Sequence, residues 1–133
     1  MQGYVLTSAV TLLSLLTYFW MGLRVAGARA KYGVKAPATS GEETFDRIFR
    51  TQQNTLEWLP IYLASLWLFA VYWDDGVAAI IGVVWIFGRI VYALGYAKAA
   101  GSRTPGFLIQ TLAAGVLLFG ALGRVVGVWL QTH

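Results

Sequence analysis

An all-α fold, a bundle of four membrane-spanning helices, is predicted for this chain by its composition and by where its charges are absent. Hydrophobic residues make up 58% of the 133 positions and charged residues 12%, against about 25% charged in soluble domains. The mean hydropathy is +0.63. No charge occurs from Met1 to Leu23, from Trp58 to Trp73 or from Thr104 to Gly123, and Gly76 to Ala97 holds only Arg89. A helix needs about 20 apolar residues to cross a bilayer, so these four segments predict four spans in a single domain, residues 1–133. A β-barrel would need apolar and polar residues to alternate with period two, and these segments do not.

The first segment reads as a retained helix. Ala28-Arg29-Ala30 resembles a signal cleavage site, but no positive charge precedes the apolar run, and the run is too long for a signal core. Lys31 to Thr44 holds Gly33, Pro37, Ser40 and Gly41, which is loop composition. Ser40 with Glu43 three residues on fits a capping box, so the second helix is expected to start near Gly41. It then carries its polar residues through the headgroup region before the apolar run at Trp58. Asp74-Asp75-Gly76 predicts a tight turn that makes the second and third helices an antiparallel pair. Thr104 and Pro105 fit the N-cap and first position of the fourth helix.

Charge sets the orientation. Arg24, Arg29, Lys31, Lys35, Arg47 and Arg50 flank the first connection, and Arg89, Lys98 and Arg103 the third. The second connection has Asp74 and Asp75 with no basic residue, and only Arg124 dissents. Lys and Arg are enriched in cytoplasmic loops, which puts the first and third connections in the cytoplasm. Topology therefore explains the net charge of +4 without nucleic acid. With no cysteine and a single histidine at the C-terminus, disulfides, thiolate metal sites and a resident thiol nucleophile are excluded, and no metal site is expected.

Arg47, Arg50, Asn54 and Glu57 are spaced by three, four and three residues and so line one face of the second helix. Ionisable side chains in a membrane helix are costly and usually face the bundle interior or a cavity. Arg89, Tyr92 and Tyr96 form a second row on the third helix, and Arg103 follows in the loop. Plainer readings stand beside this one. Arg50 and Glu57 would pair through Asn54 as interhelical glue, Arg47 would snorkel, and the tyrosines would belong to an interface belt. If the rows share a pocket, it offers guanidiniums, one carboxylate, an amide and two phenols. Guanidiniums grip carboxylates in bidentate fashion, and a carboxylate holds an ammonium. The matching ligand is zwitterionic with extra carboxylate, peptide-like or amino-acid-like, and reached from the cytoplasm.

RIFRTQQNTLEWLPIYLASLW, the DDG turn and GRIVYALGYAKAAGSR together resemble the family of membrane-associated proteins in eicosanoid and glutathione metabolism, in its microsomal glutathione transferase type. The resemblance covers nearly the whole chain. It rests on the R-x-Q-x-N-x-x-E string and the Y-x-x-x-Y row followed by an arginine. It implies a homotrimer of four-helix bundles with glutathione, as cosubstrate, held between subunits near the cytoplasmic face. By that resemblance Arg50, Asn54, Glu57, Tyr92 and Tyr96 bind glutathione from one subunit, and Arg29 and Gln52 contribute from its neighbour. Arg103 matches the arginine that faces the glutathione sulfur.

The activity implied is conjugation of glutathione to a hydrophobic electrophile, with reduction of a lipid hydroperoxide as a companion activity. Ala30 and Trp58 depart from the family's leukotriene-forming members, which carry an arginine and a tyrosine there. A lipid-presenting member without chemistry would not need Arg103. A small proton-coupled exporter would carry its key glutamate in the first helix, where this chain has no charge.

Overall fold

The computed structural model describes residues 3–133. Four long helices, α1 (Val5–Tyr32), α2 (Glu43–Tyr72), α3 (Asp75–Lys98) and α4 (Thr104–Thr132), account for nearly all of them, and no strand is present among the described residues. Each helix is long and apolar enough to cross a bilayer, which is the architecture of a multi-pass integral membrane protein. α2 and α3 form the antiparallel pair expected from the tight turn. α1 and α4 flank that pair, each packed on both of its members, and the α3–α4 pairing is the most extensive.

Two helix starts differ from expectation. α2 begins at Glu43 with Glu42 as N-cap: its carboxylate accepts the Phe45 N–H at 2.9 Å, and Asp46 reaches back to the Gly41 N–H at 3.0 Å. The end is capped by Glu42 and Asp46 rather than by Ser40 and Glu43, and since Asp46 takes the Gly41 N–H the two bonds do not close a reciprocal box. Five acidic or hydroxylic residues, Ser40, Glu42, Glu43, Thr44 and Asp46, compete for the role within seven positions, and Glu42 is the one adjacent to the first helical residue. At α4 a 3₁₀ turn, Ala100–Arg103, runs straight into the helix. Thr104 is therefore already helical, Pro105 lies in the first turn and no side chain caps this end.

At 30 residues, α2 is about 45 Å long at 1.5 Å per residue, longer than the roughly 30 Å hydrocarbon core. The surplus carries the polar half of the helix. The bundle interior is small-residue and aromatic: Tyr62 stacks on Trp85 with ring centroids 3.8 Å apart, and the Tyr62 hydroxyl meets Ser14 at 2.8 Å. A satellite cluster of Val25, Ala28, Val34 and Phe45 closes the bundle under the first connection. Outward-facing Leu12, Leu16, Ile80, Phe87, Leu112 and Phe119 are at least half exposed, an apolar surface suited to lipid and to neighbouring helices.

α3 and α4 approach backbone to backbone. A methyl group at Gly88 would lie 2.7 Å from the Gln110 backbone nitrogen, and one at Gly106 would collide with the backbone of Tyr92. Glycine at both positions is what lets Arg89, Tyr92 and Gln110 share one layer of the bundle.

Candidate functional site

At the end of the bundle that carries the first and third connections, α2, α3 and the 3₁₀ turn enclose an open cleft of about 340 Å³ lined by Arg50, Gln53, Asn54, Glu57, Tyr92, Tyr96 and Arg103. Six of the eight residues proposed from sequence are therefore brought together. A second lobe of about 330 Å³, lined by Asn54, Tyr92, Arg103, Thr104, Phe107 and Leu108, joins it. Asn54, Tyr92 and Arg103 belong to both lobes, which puts them where the two chambers meet.

Helix geometry explains the α2 contribution. Positions 50, 53, 54 and 57 fall at i, i+3, i+4 and i+7, a single stripe, and Gln53 completes it. Gln53 was missed in the sequence although its spacing marks it. Gln52 lies off the stripe and beside Gly22 of α1. Arg29 also lies outside the cleft: its guanidinium donates to the Ala38 carbonyl at 2.7 Å and stands 5.1 Å from the centre of the Phe45 ring.

The tyrosines are wall, not belt. Tyr92 and Tyr96 are each 5% exposed, with ring centroids 5.6 Å apart. The Arg103 guanidinium carbon lies 5.2 Å from the Tyr96 ring centre, a distance at which the ring face attracts a cation. Phe107 packs against both Tyr92 and Trp58, at 6.0 and 5.9 Å.

Arg50 and Glu57 do not satisfy each other. The one ion pair among the described residues joins Arg47 to Glu43 at 3.8 Å. Seven residues separate Arg50 from Glu57 along α2, about 10 Å of helix, and both side chains border the cleft instead. Arg47, placed on the same polar face from sequence, is not part of the cleft. It donates to Thr44 and to the Ala97 carbonyl, both at 3.3 Å, and so ties the start of α2 to the last turn of α3.

Arg89 departs most from expectation. It does not line the cleft with Tyr92 and Tyr96 but lies fully buried behind it. Its Nη1 donates to Asn54 Oδ1 at 2.8 Å and Thr55 Oγ1 at 3.2 Å, and its Nη2 to Gln110 Oε1 at 2.9 Å. Gln110 also accepts from the Trp85 indole at 3.1 Å. No group of three or more His, Cys, Asp or Glu side chains able to hold a metal is present among the described residues.

This cleft opens between four long apolar helices, which defines a class: a multi-pass membrane protein with a charged, polar cavity at one end of its bundle. Comparison with known proteins supplies the family. The MAPEG family model matches residues 7–123, and the chain belongs to that family. It is similar to an uncharacterized protein of Synechocystis sp. (50% identity over 85% of this chain and 82% of the relative). It is also similar to human microsomal glutathione S-transferase 2 (40% identity; 90% and 82%). Similarity to rat leukotriene C4 synthase is 35% over 95% of this chain and 92% of the relative.

Proposed function

We propose that the protein is a membrane-bound glutathione transferase. The observation that carries this reading is the cleft in which Arg50, Glu57 and Arg103 gather without pairing with one another. Two cations and one anion leave one net positive charge, the complement of glutathione, which has two carboxylates and one ammonium. Arg50 and the Asn54 amide suit a carboxylate, and Glu57 suits the ammonium. The names of the two characterised relatives above, a glutathione transferase and a synthase, agree with this chemistry.

Arg103 is the residue we assign to activation. A free thiol has a pKa of about 8.5, and its thiolate is the nucleophile. Lowering that value by roughly two units takes about 2.7 kcal/mol of preferential thiolate stabilisation, within reach of one partly desolvated guanidinium. Arginine stays protonated, so Arg103 favours the thiolate electrostatically and the proton leaves to solvent. Its place in both lobes supports this role, since the sulfur must face the second substrate. The thiolate sulfur then bonds to the electrophilic carbon of a hydrophobic substrate, and the leaving group departs with its electron pair. Phe107 and Leu108 give the second lobe its apolar wall.

Arg29 and Gln52 lie outside this chain's own cleft, an arrangement that suits contribution to a neighbouring subunit's site in a homotrimer. The cationic connections, and with them the cleft, face the cytoplasm in this reading. Native mass spectrometry from mild detergent is expected to give trimers, and monomers alone at concentrations that support turnover would defeat that assembly. The central experiment is glutathione-dependent turnover of a chromogenic aryl halide by the purified protein, with a lipid hydroperoxide in parallel. Absence of glutathione binding and of both turnovers would overturn the transferase reading.

A further inference from the structure

We propose that Arg89 is a positioning residue that fixes the polarity of the Asn54 amide, so that Asn54 offers the cleft a donor and never an acceptor. The inference rests on the glutathione reading of the cleft. An asparagine side chain has a carbonyl end and an NH₂ end of nearly the same shape, and a free one presents either to a ligand. A guanidinium carries only donors. Whatever turns toward Arg89 at 2.8 Å must therefore be the Asn54 carbonyl oxygen, and the NH₂ is left for the cleft that Asn54 lines.

Arg89 itself has nowhere else to turn. It is fully buried on α3. Its remaining contacts are the Thr55 hydroxyl, the Gln110 carbonyl and the faces of Trp85 and Tyr92. Gln110 is held in turn: its oxygen takes the Arg89 and Trp85 donors while its nitrogen donates to Thr111 at 2.6 Å. Thr55 donates to the Thr51 carbonyl at 2.8 Å and so has only a lone pair for Arg89. Every neighbour presents an acceptor to the cation, and no carboxylate touches it among the described residues.

The consequence for the ligand is directional. Asn54 sits on α2 between Arg50 and Glu57. With its NH₂ toward the cleft, the Arg50 side offers only donors and the Glu57 side an acceptor. A zwitterionic peptide fits in one sense, ammonium toward Glu57 and carboxylate or carbonyl oxygen toward Asn54 and Arg50. Were Asn54 free to flip, its oxygen would also accept an ammonium, and the reversed sense would compete.

The test is a double-mutant cycle on glutathione affinity, measured on the full-length protein in detergent. Asn54→Ala in the Arg89 background is expected to weaken glutathione about tenfold, as for one hydrogen bond to a charged group. In the Arg89→Lys background the same substitution should cost under about twofold, since a lysine cannot span Asn54, Thr55 and Gln110 with a planar fork. Arg89→Lys should raise KM for glutathione and leave kcat at saturation nearly unchanged. Thr55→Ala, which removes a contact of Arg89 without touching Asn54, should lower thermal stability and preserve the Asn54 effect.

A second measurement needs no substitution at Arg89. The side-chain amide ¹⁵N–¹H₂ resonances of Asn54 should shift when glutathione is added to the unaltered protein. Equal Asn54 costs in both backgrounds, or unmoved amide resonances in a protein that does bind glutathione, would overturn the positioning role and leave the glutathione site standing. Absence of glutathione binding by the unaltered protein would overturn both.

Discussion

At the end of the bundle that holds the turn between α2 and α3, the charged side chains are spent on the protein's own backbone. Asp74 accepts the Val77 N–H at 2.8 Å, Asp75 accepts the Leu6 and Thr7 N–H groups at 3.2 and 2.8 Å, and Arg124 donates to the Tyr72 carbonyl at 3.2 Å. Trp73 closes the same end by donating to the Gly120 carbonyl at 2.8 Å. At the opposite end Arg50, Glu57 and Arg103 border an open cleft, and none of them joins an ion pair among the described residues. Side chains of the same kinds serve as caps and clasps at the closed pole, whereas at the other pole Arg50, Glu57 and Arg103 stand uncommitted among neighbours such as Glu42, Asp46 and Arg47 that do hold backbone. Identical charges thus acquire different meanings from their partners: a carboxylate that already holds a helix terminus is architecture, and one left facing a cavity is available for a ligand.

The sharpest way to break the contrast is at Glu57. Glu57→Gln is expected to weaken glutathione binding by about 1.5–3 kcal/mol, read by isothermal titration, with the thermal midpoint of the ligand-free protein unchanged. A fall in that midpoint with affinity intact would move Glu57 into the architectural class. Arg103→Ala comes next. If the guanidinium lowers the bound thiol from about 8.5 by two units, its removal cuts the thiolate population at pH 7 roughly 25-fold. Turnover should fall by about that factor and recover as pH rises through 8.5. Ultraviolet titration of bound thiolate checks the cause, and identical titrations for the two proteins would strip Arg103 of the role.

At the closed pole the effects should be on stability alone. Asp75→Ala leaves two N–H groups of the first turn of α1 without their acceptor, and the melting temperature should drop by a few degrees with glutathione affinity preserved. The smallest effect is expected at Glu42. The Phe45 N–H is the main cause that holds its carboxyl below the ordinary value. A carboxyl lowered on folding stabilises the folded chain above its unfolded pKa, near 4.3, and that contribution is lost as pH falls through the folded value. Glu42→Gln should accordingly lower the thermal midpoint slightly at neutral pH and flatten the acid limb, so that thermal melts of the two proteins converge as pH falls through the folded value.

Much of this was legible in the sequence, for reasons that also mark where it stops. The four helices were legible because a bilayer demands uninterrupted apolar length. The α2 stripe was legible because one helix carries its own geometry, so Arg50, Asn54 and Glu57 could be aligned by counting. Arg89 was not, because its surroundings are supplied by Thr55 and Gln110 on two other helices, and no periodicity within α3 reveals them. Gln110 did leave a trace as the one amide in the charge-free run from Thr104 to Gly123, since a lone amide at that depth needs a partner. How subunits assemble rests on relationships between chains, which a single chain's spacing does not encode.

The grip of Asp75 on the start of α1 has a consequence for how the chain is made. Its two bonds join residues 69 and 68 positions apart, so the amino-terminal helix cannot be fastened while it is being synthesised. It must wait in the membrane until α2 has been inserted and the turn behind it has emerged. A chain that ends before Asp75 therefore lacks this clasp, and two N–H groups in the first turn of α1 go without their acceptor.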